Sequence, residues 1–506
     1  MDEKKKKKEY QKKLNSKKLK KSQEYKTLSF TTGISLVFAL LFAFFGYSFI
    51  TGEVHTVPLL LAAAFLAEGL IQVFLLYRLR IQLLKTNTIS RAMRMSGILL
   101  LAFLATGNIF AVVSGFTLLK KSRTLEYTMT IYAIITTILV MIVSALNLFK
   151  EYVANSFMLG MALLAGMVVF YLLALLFIHL WEREGAVDKK LLPVGVLLIL
   201  SAASGNIFAL VAGLLILSHY RHQGQDRSID WIDIFDRLFR NNMAVIGMLV
   251  VTFLLSLSIT SVLTFDYGVA VDNNYSAILQ PISLEYPFGT DNYGRCVFTR
   301  IVFGARISLV VGVCVTILPM VIGGILGAAA GYYSKRTDNI IMRLLDVLYA
   351  IPDILLAVAI IAAFGANLVN LVIALSVSSI AVYARTVRAT VLGLANSEFV
   401  EAARSCGARD WNIIFRHIIP NSMAPIIVRM TMGIGTAVLS TSSLSYLGLG
   451  VEPHIPEWGN ILKIGSQYLE TNPYLAIFPG LAIIILVLAF NFFGDGLRDA
   501  LDPKLK

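Results

Sequence analysis

Charge is scarce in this sequence: Asp, Glu, Lys and Arg together make up 15% of its 506 residues, against about 25% in an ordinary soluble domain. So little polar side chain cannot cover a water-soluble globule, and the mean hydropathy of +0.74 excludes one on the same ground. Cysteine is almost absent. Cys296, Cys314 and Cys406 are far apart with no CxxC, which excludes a disulfide framework and a thiolate metal site. The six His are scattered and no HExxH occurs. A GxxxxGK[ST] phosphate loop is also missing, so the chain carries no nucleotide-binding motif of that kind.

What the sequence has in abundance is apolar runs of about 20 residues, each long enough to cross ~30 Å of hydrocarbon. A closed barrel would instead alternate in segments of ~10 residues, so the fold class is an all-α integral membrane protein. Twelve spans are expected. Six lie near 28–50, 57–77, 95–118, 129–149, 156–180 and 191–217, and six near 243–264, 306–332, 345–364, 368–390, 424–447 and 474–494.

The net charge of +13 is unevenly placed. Residues 1–27 hold twelve Lys against Asp2, Glu3, Glu9 and Glu24. A basic tail ahead of a first span signals a cytoplasmic N-terminus in contact with anionic lipid rather than nucleic acid. No small-residue cleavage site follows a short apolar core, so no removed signal peptide is expected.

The region 28–218 contains an internal repeat. Gly107-Asn108-Ile109-Phe110-Ala111 recurs as Gly205-Asn206-Ile207-Phe208-Ala209, an offset of 98 residues. Three spans per copy would place the copies in opposite orientations. That scheme puts Lys120, Lys121 and Arg123 outside, against the positive-inside rule. Glycines eight apart, Gly107 and Gly115, suggest a helix-packing face. Glu68, in the middle of the second span, is either functional or a protonated packing group, since a bare carboxylate there costs a few kcal/mol. Residues 219–242 read as a linker and an interfacial amphipathic helix, with Ile232, Phe235, Leu238 and Phe239 on one face and Trp231 at headgroup level.

A polar island at 397–420 interrupts the second half. Ser397 is positioned to cap a helix that begins with Glu398 and Glu401. Ala402 and Ala403 are small enough for close approach by a partner, Gly407 suits a helix end, Asp410 is a second candidate cap, and Pro420 limits the helix that follows. The frame Glu401-Ala402-Ala403, Gly407, Pro420 resembles the EAA loop of ABC importer permeases. The resemblance extends over 231–506 and is closest to the C-type permeases of dipeptide and oligopeptide importers. Gly289-Thr290-Asp291 with Gly294-Arg295 is similar to the family's GTDxxGRD segment, with Cys296 in place of the final Asp. Gly304-Ala305-Arg306 opening a span, a smooth face of Gly323, Gly324, Gly327 and Gly331, an Arg343–Asp346 pair, Trp458-Gly459-Asn460, and Gly494-Asp495-Gly496 up to Asp502-Pro503 carry it further.

This resemblance implies a six-span core of the type I importer kind at 243–506, in a bacterial plasma membrane with both termini cytoplasmic. It implies a homologous second permease, two ABC ATPases and an extracellular solute-binding protein as partners. ATP and magnesium would sit on the ATPases, with no cofactor on this chain. The docking residues would be Glu398, Glu401, Ala402, Ala403, Arg404, Gly407, Asp410 and Pro420, and the cargo peptides. Nickel or another small solute is the alternative cargo. An intramembrane protease is the alternative class, but Phe492 stands where the first glycine of GxGD would be.

Overall fold

The computed structural model describes residues 19, 22–46, 56–86, 88–119, 124–150, 153–183, 186–221 and 231–501. The basic run before Leu19, Lys120, Lys121 and Arg123, the linker 222–230 and Asp502-Pro503 lie outside the described residues, as does the side chain of Trp231. Among the described residues the chain is all-α apart from a two-residue ladder, Glu182–Arg183 with Ala186–Val187, and an isolated bridge between Thr290 and Cys296. Among the described residues nine helices are long and apolar enough to cross a membrane. It divides into two compact units, Met1–Thr124 and Leu125–Lys506.

The first unit holds α1 (Gln23–Phe45), α2 (Thr56–Thr86), α3 (Arg91–Ala102) and α4 (Ile109–Leu119). Leu28, Leu79, Leu100 and Leu118 form its core. The expected continuous span at 95–118 is instead a hairpin. After a 3-10 turn, Phe103–Thr106, the chain reverses at Gly107, whose φ is +79°. Helices α3 and α4 then run back to back: a Cβ on Gly97 would lie 2.5 Å from Gly115 O and 2.9 Å from Leu119. Each arm, at about 1.5 Å per residue, reaches roughly half the hydrocarbon depth. An uninterrupted apolar run cannot distinguish one span from two half-spans, because neither arm presents a polar face.

The second copy folds the same way. Following α5 (Leu125–Ala145) and α6 (Phe157–Trp181), α7 (Leu192–Ser201) and α8 (Ile207–Arg221) reverse at Gly205, φ +85°. Gly195 and Gly213 meet as Gly97 and Gly115 do, with a Gly213 Cβ 2.5 Å from Gly195 O. Gly107 and Gly205 are therefore hairpin turns and not members of a packing face, and 191–217 is no more a single span than 95–118. Each copy has two crossings plus a hairpin that returns the chain to the side it entered, so the odd count behind opposite orientations no longer holds. In the first unit the chain leaves α4 on the side of 78–94, with its five Arg and Lys.

The second unit continues with α9 (Trp231–Arg240), α10 (Asn242–Thr264), α11 (Val297–Tyr332), α12 (Lys335–Tyr349), α13 (Asp353–Phe364), α14 (Leu368–Ala395), α15 (Glu398–Ser405), α16 (Asp410–Leu447), α17 (Trp458–Ser466) and α18 (Tyr474–Leu501). Five of these cross, and α12 with α13, bent by 80°, makes a sixth if counted as one. The break at 350–352 includes Pro352, whose ring disfavours helix in the residue before it.

The second copy of the repeat and the six-span core share packing. Leu238 and Phe239 of α9 join a cluster with Met129, Phe208, Ala244 and Ala500, so this face of α9 meets protein. At the other end of α10, Ser144 Oγ donates to Thr264 Oγ1 (3.1 Å), Asn147 Nδ2 to Thr264 O (2.9 Å), and Lys150 Nζ to Thr299 Oγ1 (2.6 Å). Ser156 Oγ donates to Leu263 O at 3.0 Å.

Helix α11 begins nine residues earlier than expected, at Val297 rather than 306. Arg300 lies in its first turn yet is fully buried, donating to Ala270 O at 2.7 Å, with Asp291 3.8 Å away. Three of the four candidate packing glycines of α11 work as such: a Cβ on Gly323, Gly327 or Gly331 would lie 2.3–2.9 Å from backbone oxygens of α14. Gly324 has open space and lies off that face.

Candidate coupling site

Helix α15 is short, polar and mostly exposed because its one deeply buried side chain is Val400. Val400, Ile413, Ile414 and Ile418 insert among Ala328 of α11, Val387 and Val391 of α14 and Ile426 of α16. That seat fixes the loop to three membrane helices, and Ala403 packs against it from the side. Glu398, Glu401, Ala402, Arg404, Gly407, Asp410 and Pro420 are all exposed.

The helix end is built as the glycine predicts. Gly407 has φ +81°, Gly407 N–H donates to Arg404 O at 2.9 Å and Ala408 N–H to Ala403 O at 3.1 Å. This is the paired bonding of a Schellman stop, which satisfies two carbonyls the helix would leave open. Three other expectations are corrected. Ser397 occupies the N-cap position, but its hydroxyl donates backward to Leu394 O and caps nothing. Asp410 is the first helical residue and Arg409 the cap position. The Asp410 carboxylate accepts the Tyr332 hydroxyl at 2.7 Å, and the Tyr332 oxygen in turn accepts from Arg404 Nη2 at 3.3 Å. Pro420 does not end its helix. A π turn, Ile414–Ile418, moves the backbone carbonyls clear of its ring, and the helix runs on to Leu447.

Two ion pairs brace the adjoining helices. Asp346 of α12 pairs with Arg385 of α14 at 2.6 Å, and Asp338 takes Arg388 in a two-pronged pair. The expected Arg343–Asp346 pair is absent because Arg385, stacked 4.0 Å from the Tyr349 ring centroid, reaches Asp346 first. Trp411 and Phe415 lie one turn apart on the exposed start of α16, ring centroids 4.1 Å apart. Sequence reading passed over both, although two large aromatics in a polar loop were the available signal.

The motif segments on the opposite side are structural. Asp291 Oδ1 accepts the N–H groups of Tyr293 and Arg295, and Oδ2 accepts Arg295 Nε at 2.8 Å. Cys296 is fully buried. Trp458, also buried, donates to Ile301 O at 2.9 Å. Glu457 is a buried carboxyl that sequence reading did not single out; it caps α17 through Asn460 N–H at 3.1 Å. Among the described residues no group of His, Cys, Asp and Glu could hold a metal ion.

Burial raises the Glu457 carboxyl above its ordinary value, outweighing the hydrogen bonds it accepts. A carboxyl raised in the folded state contributes stability that is complete below about pH 4.3 and is lost as pH rises through the folded value. Glu457→Gln cannot ionise but keeps an oxygen for Asn460 N–H. It is expected to flatten the fall in melting temperature between about pH 5 and about pH 8. Equal slopes in wild type and variant would contradict this account.

Two family models match the chain: binding-protein-dependent transport system inner membrane component over 323–506, and N-terminal TM domain of oligopeptide transport permease C over 230–281. The dipeptide transport system permease protein DppC of Alkalihalophilus pseudofirmus is 44% identical over 276 residues, 54% of this chain and 90% of that protein. The glutathione transport system permease protein GsiD of Pectobacterium atrosepticum is 43% identical over 284 residues, 56% of this chain and 94% of that protein.

Proposed function

The chain belongs to the family of binding-protein-dependent transport system inner membrane components, and from that premise we propose that it is the membrane subunit of an ATP-driven importer that passes peptides inward. The observation that carries the reading is α15 itself: an exposed helix, stopped by Gly407, whose single buried residue is wedged between three membrane helices. A partner pushing on Glu398, Glu401 and Ala402 moves Val400, and through it α11, α14 and α16. Close packing transmits such a push as a rigid-body tilt.

On this reading the partners are two ABC ATPases against α15, a homologous permease completing the pore, and an extracellular binding protein that delivers the peptide. ATP and magnesium belong to the ATPases. The peptide cargo is supported by the dipeptide and glutathione permeases to which the chain is similar. Purification of the tagged chain from its native membrane is expected to recover an ATPase in wild type and to lose it in Glu401→Lys. Recovery of the permease pair without any ATPase would contradict the proposal.

A further inference from the structure

The last turns of α2 and the start of α3 form an open cavity of about 580 Å³, the size of a small-molecule site. Its α2 wall includes Phe74, Arg78, Ile81 and Lys85, and its α3 wall includes Ser90 and Ser96. The four α2 residues follow one another at intervals of four, three and four, so they form one row along a helix face. Leu70 and Leu66 extend that row toward the middle of α2, and both are exposed, as is Phe74. The face therefore runs from bare hydrocarbon at Leu66 to two cations near the helix end.

Protein does not neutralise those cations. Arg78 Cζ lies 5.7 Å from the Phe74 ring centroid. Among the described residues no carboxylate pairs with Arg78 or Lys85. The segment 78–94 carries five Arg and Lys and no acid. By the positive-inside rule such an end faces the cytoplasm, where the leaflet carries anionic lipid.

We propose that this cavity is a binding site for one anionic phospholipid. The phosphodiester sits between Arg78 and Lys85, and an acyl chain follows Phe74, Leu70 and Leu66. Ser90 Oγ accepts Met93 N–H at 3.3 Å, which leaves its own hydrogen for a phosphate oxygen. A free phosphate would satisfy the cations but leave the apolar row bare, whereas a lipid covers both.

The second copy supplies an internal comparison. At the offset of 98, Leu176 stands for Arg78 and Asp188 for Ser90. The Asp188 carboxylate caps its own turn by accepting Lys190 N–H at 3.1 Å. One cation is gone there and an acid has been added, yet the hairpin that follows folds the same way. The pair of cations in the first copy thus serves something other than the hairpin.

The test gives the purified full chain equal amounts of phosphatidylglycerol and phosphatidylcholine with the same acyl chains, read by native mass spectrometry. Wild type is expected to retain phosphatidylglycerol with about tenfold preference. Arg78→Gln with Lys85→Gln should abolish that preference. Arg80→Gln with Arg91→Gln removes the same charge from side chains outside the cavity lining and should leave the preference in place. Phosphatidylglycerol with a diazirine in its acyl chain is expected to cross-link wild type within 66–81, a result that stands whether or not a variant folds. Equal loss in both double variants, no preference in wild type, or cross-links spread evenly over the other helices would overturn the proposal. Displacement of the lipid by inorganic phosphate, with no cross-link in 66–81, would overturn it in favour of a free-anion site.

Discussion

Gly407→Pro is expected to abolish ATP-driven uptake while leaving the chain inserted in the membrane. Gly407 has φ +81°, and proline holds φ near about −65°. Proline also lacks the N–H that reaches Arg404 O, and the companion bond from Ala408 to Ala403 O cannot survive the altered turn. Both bonds of the stop are lost together, so α15 and the start of α16 lose their fixed angle. Clashes with the rest of the protein play no part for a Cβ, which at Gly407 would meet nothing within 4 Å beyond its chain neighbours. Gly407→Ala therefore isolates the backbone cost: about 1–2 kcal/mol for a left-handed residue with a Cβ. Val400 and Ile413 still hold the seat, so uptake should be reduced but measurable. Normal peptide uptake by Gly407→Pro would remove the role assigned to the loop.

Two truncations are expected to behave differently. Removing 1–124 takes away one compact unit, and the remaining chain should insert, assemble and import within about twofold of wild type, since the clusters around α10, α11 and α18 are built from residues 125 onward. Removing 1–225 also takes α5 to α8. It strips Tyr171, Phe208 and Leu198 from the cluster containing Ala244 and Ala500, and Val140 and Leu164 from the one containing Phe298. It also deletes Ser144, Asn147, Lys150 and Ser156, the partners of Thr264, Thr299 and Leu263. Hydrogen bonds between membrane helices average roughly 0.6 kcal/mol, so these four supply about 2 kcal/mol beyond packing. The longer truncation should melt several degrees lower and assemble poorly. Melting and uptake after each truncation check this, and equal behaviour of the two would contradict it.

These outcomes follow the line between what could and could not be read from residues alone. The exposed helix at 398–405 and its stop were legible because polar residues in an apolar chain are kept out of lipid, and because Gly407 has a specific backbone use. Its finer construction was not. Asp410 belongs to Tyr332, 78 positions away, and local capping rules do not see such a partner. The helix through Pro420 depends on a π turn that no composition announces. The hairpins were hidden by uniform hydrophobicity. Gly107-Asn108 and its copy Gly205-Asn206 marked the reversals, but glycine in an apolar run also marks close helix packing, and only the fold chooses between them. Arg300 concealed the true start of α11, since its burial depends on Ala270 and Asp291.

The central claim, that α15 and its turn are where the ATPase acts, has a natural probe. Cys406 is exposed at the helix end, Cys296 is buried and Cys314 half-buried. Benzophenone maleimide attached to Cys406 of the assembled complex, then photolysed, is predicted to cross-link to the ATPase subunit, with the product absent in Cys406→Ser. A complex that is labelled at Cys406 and imports peptide, yet gives no ATPase cross-link, would contradict the account.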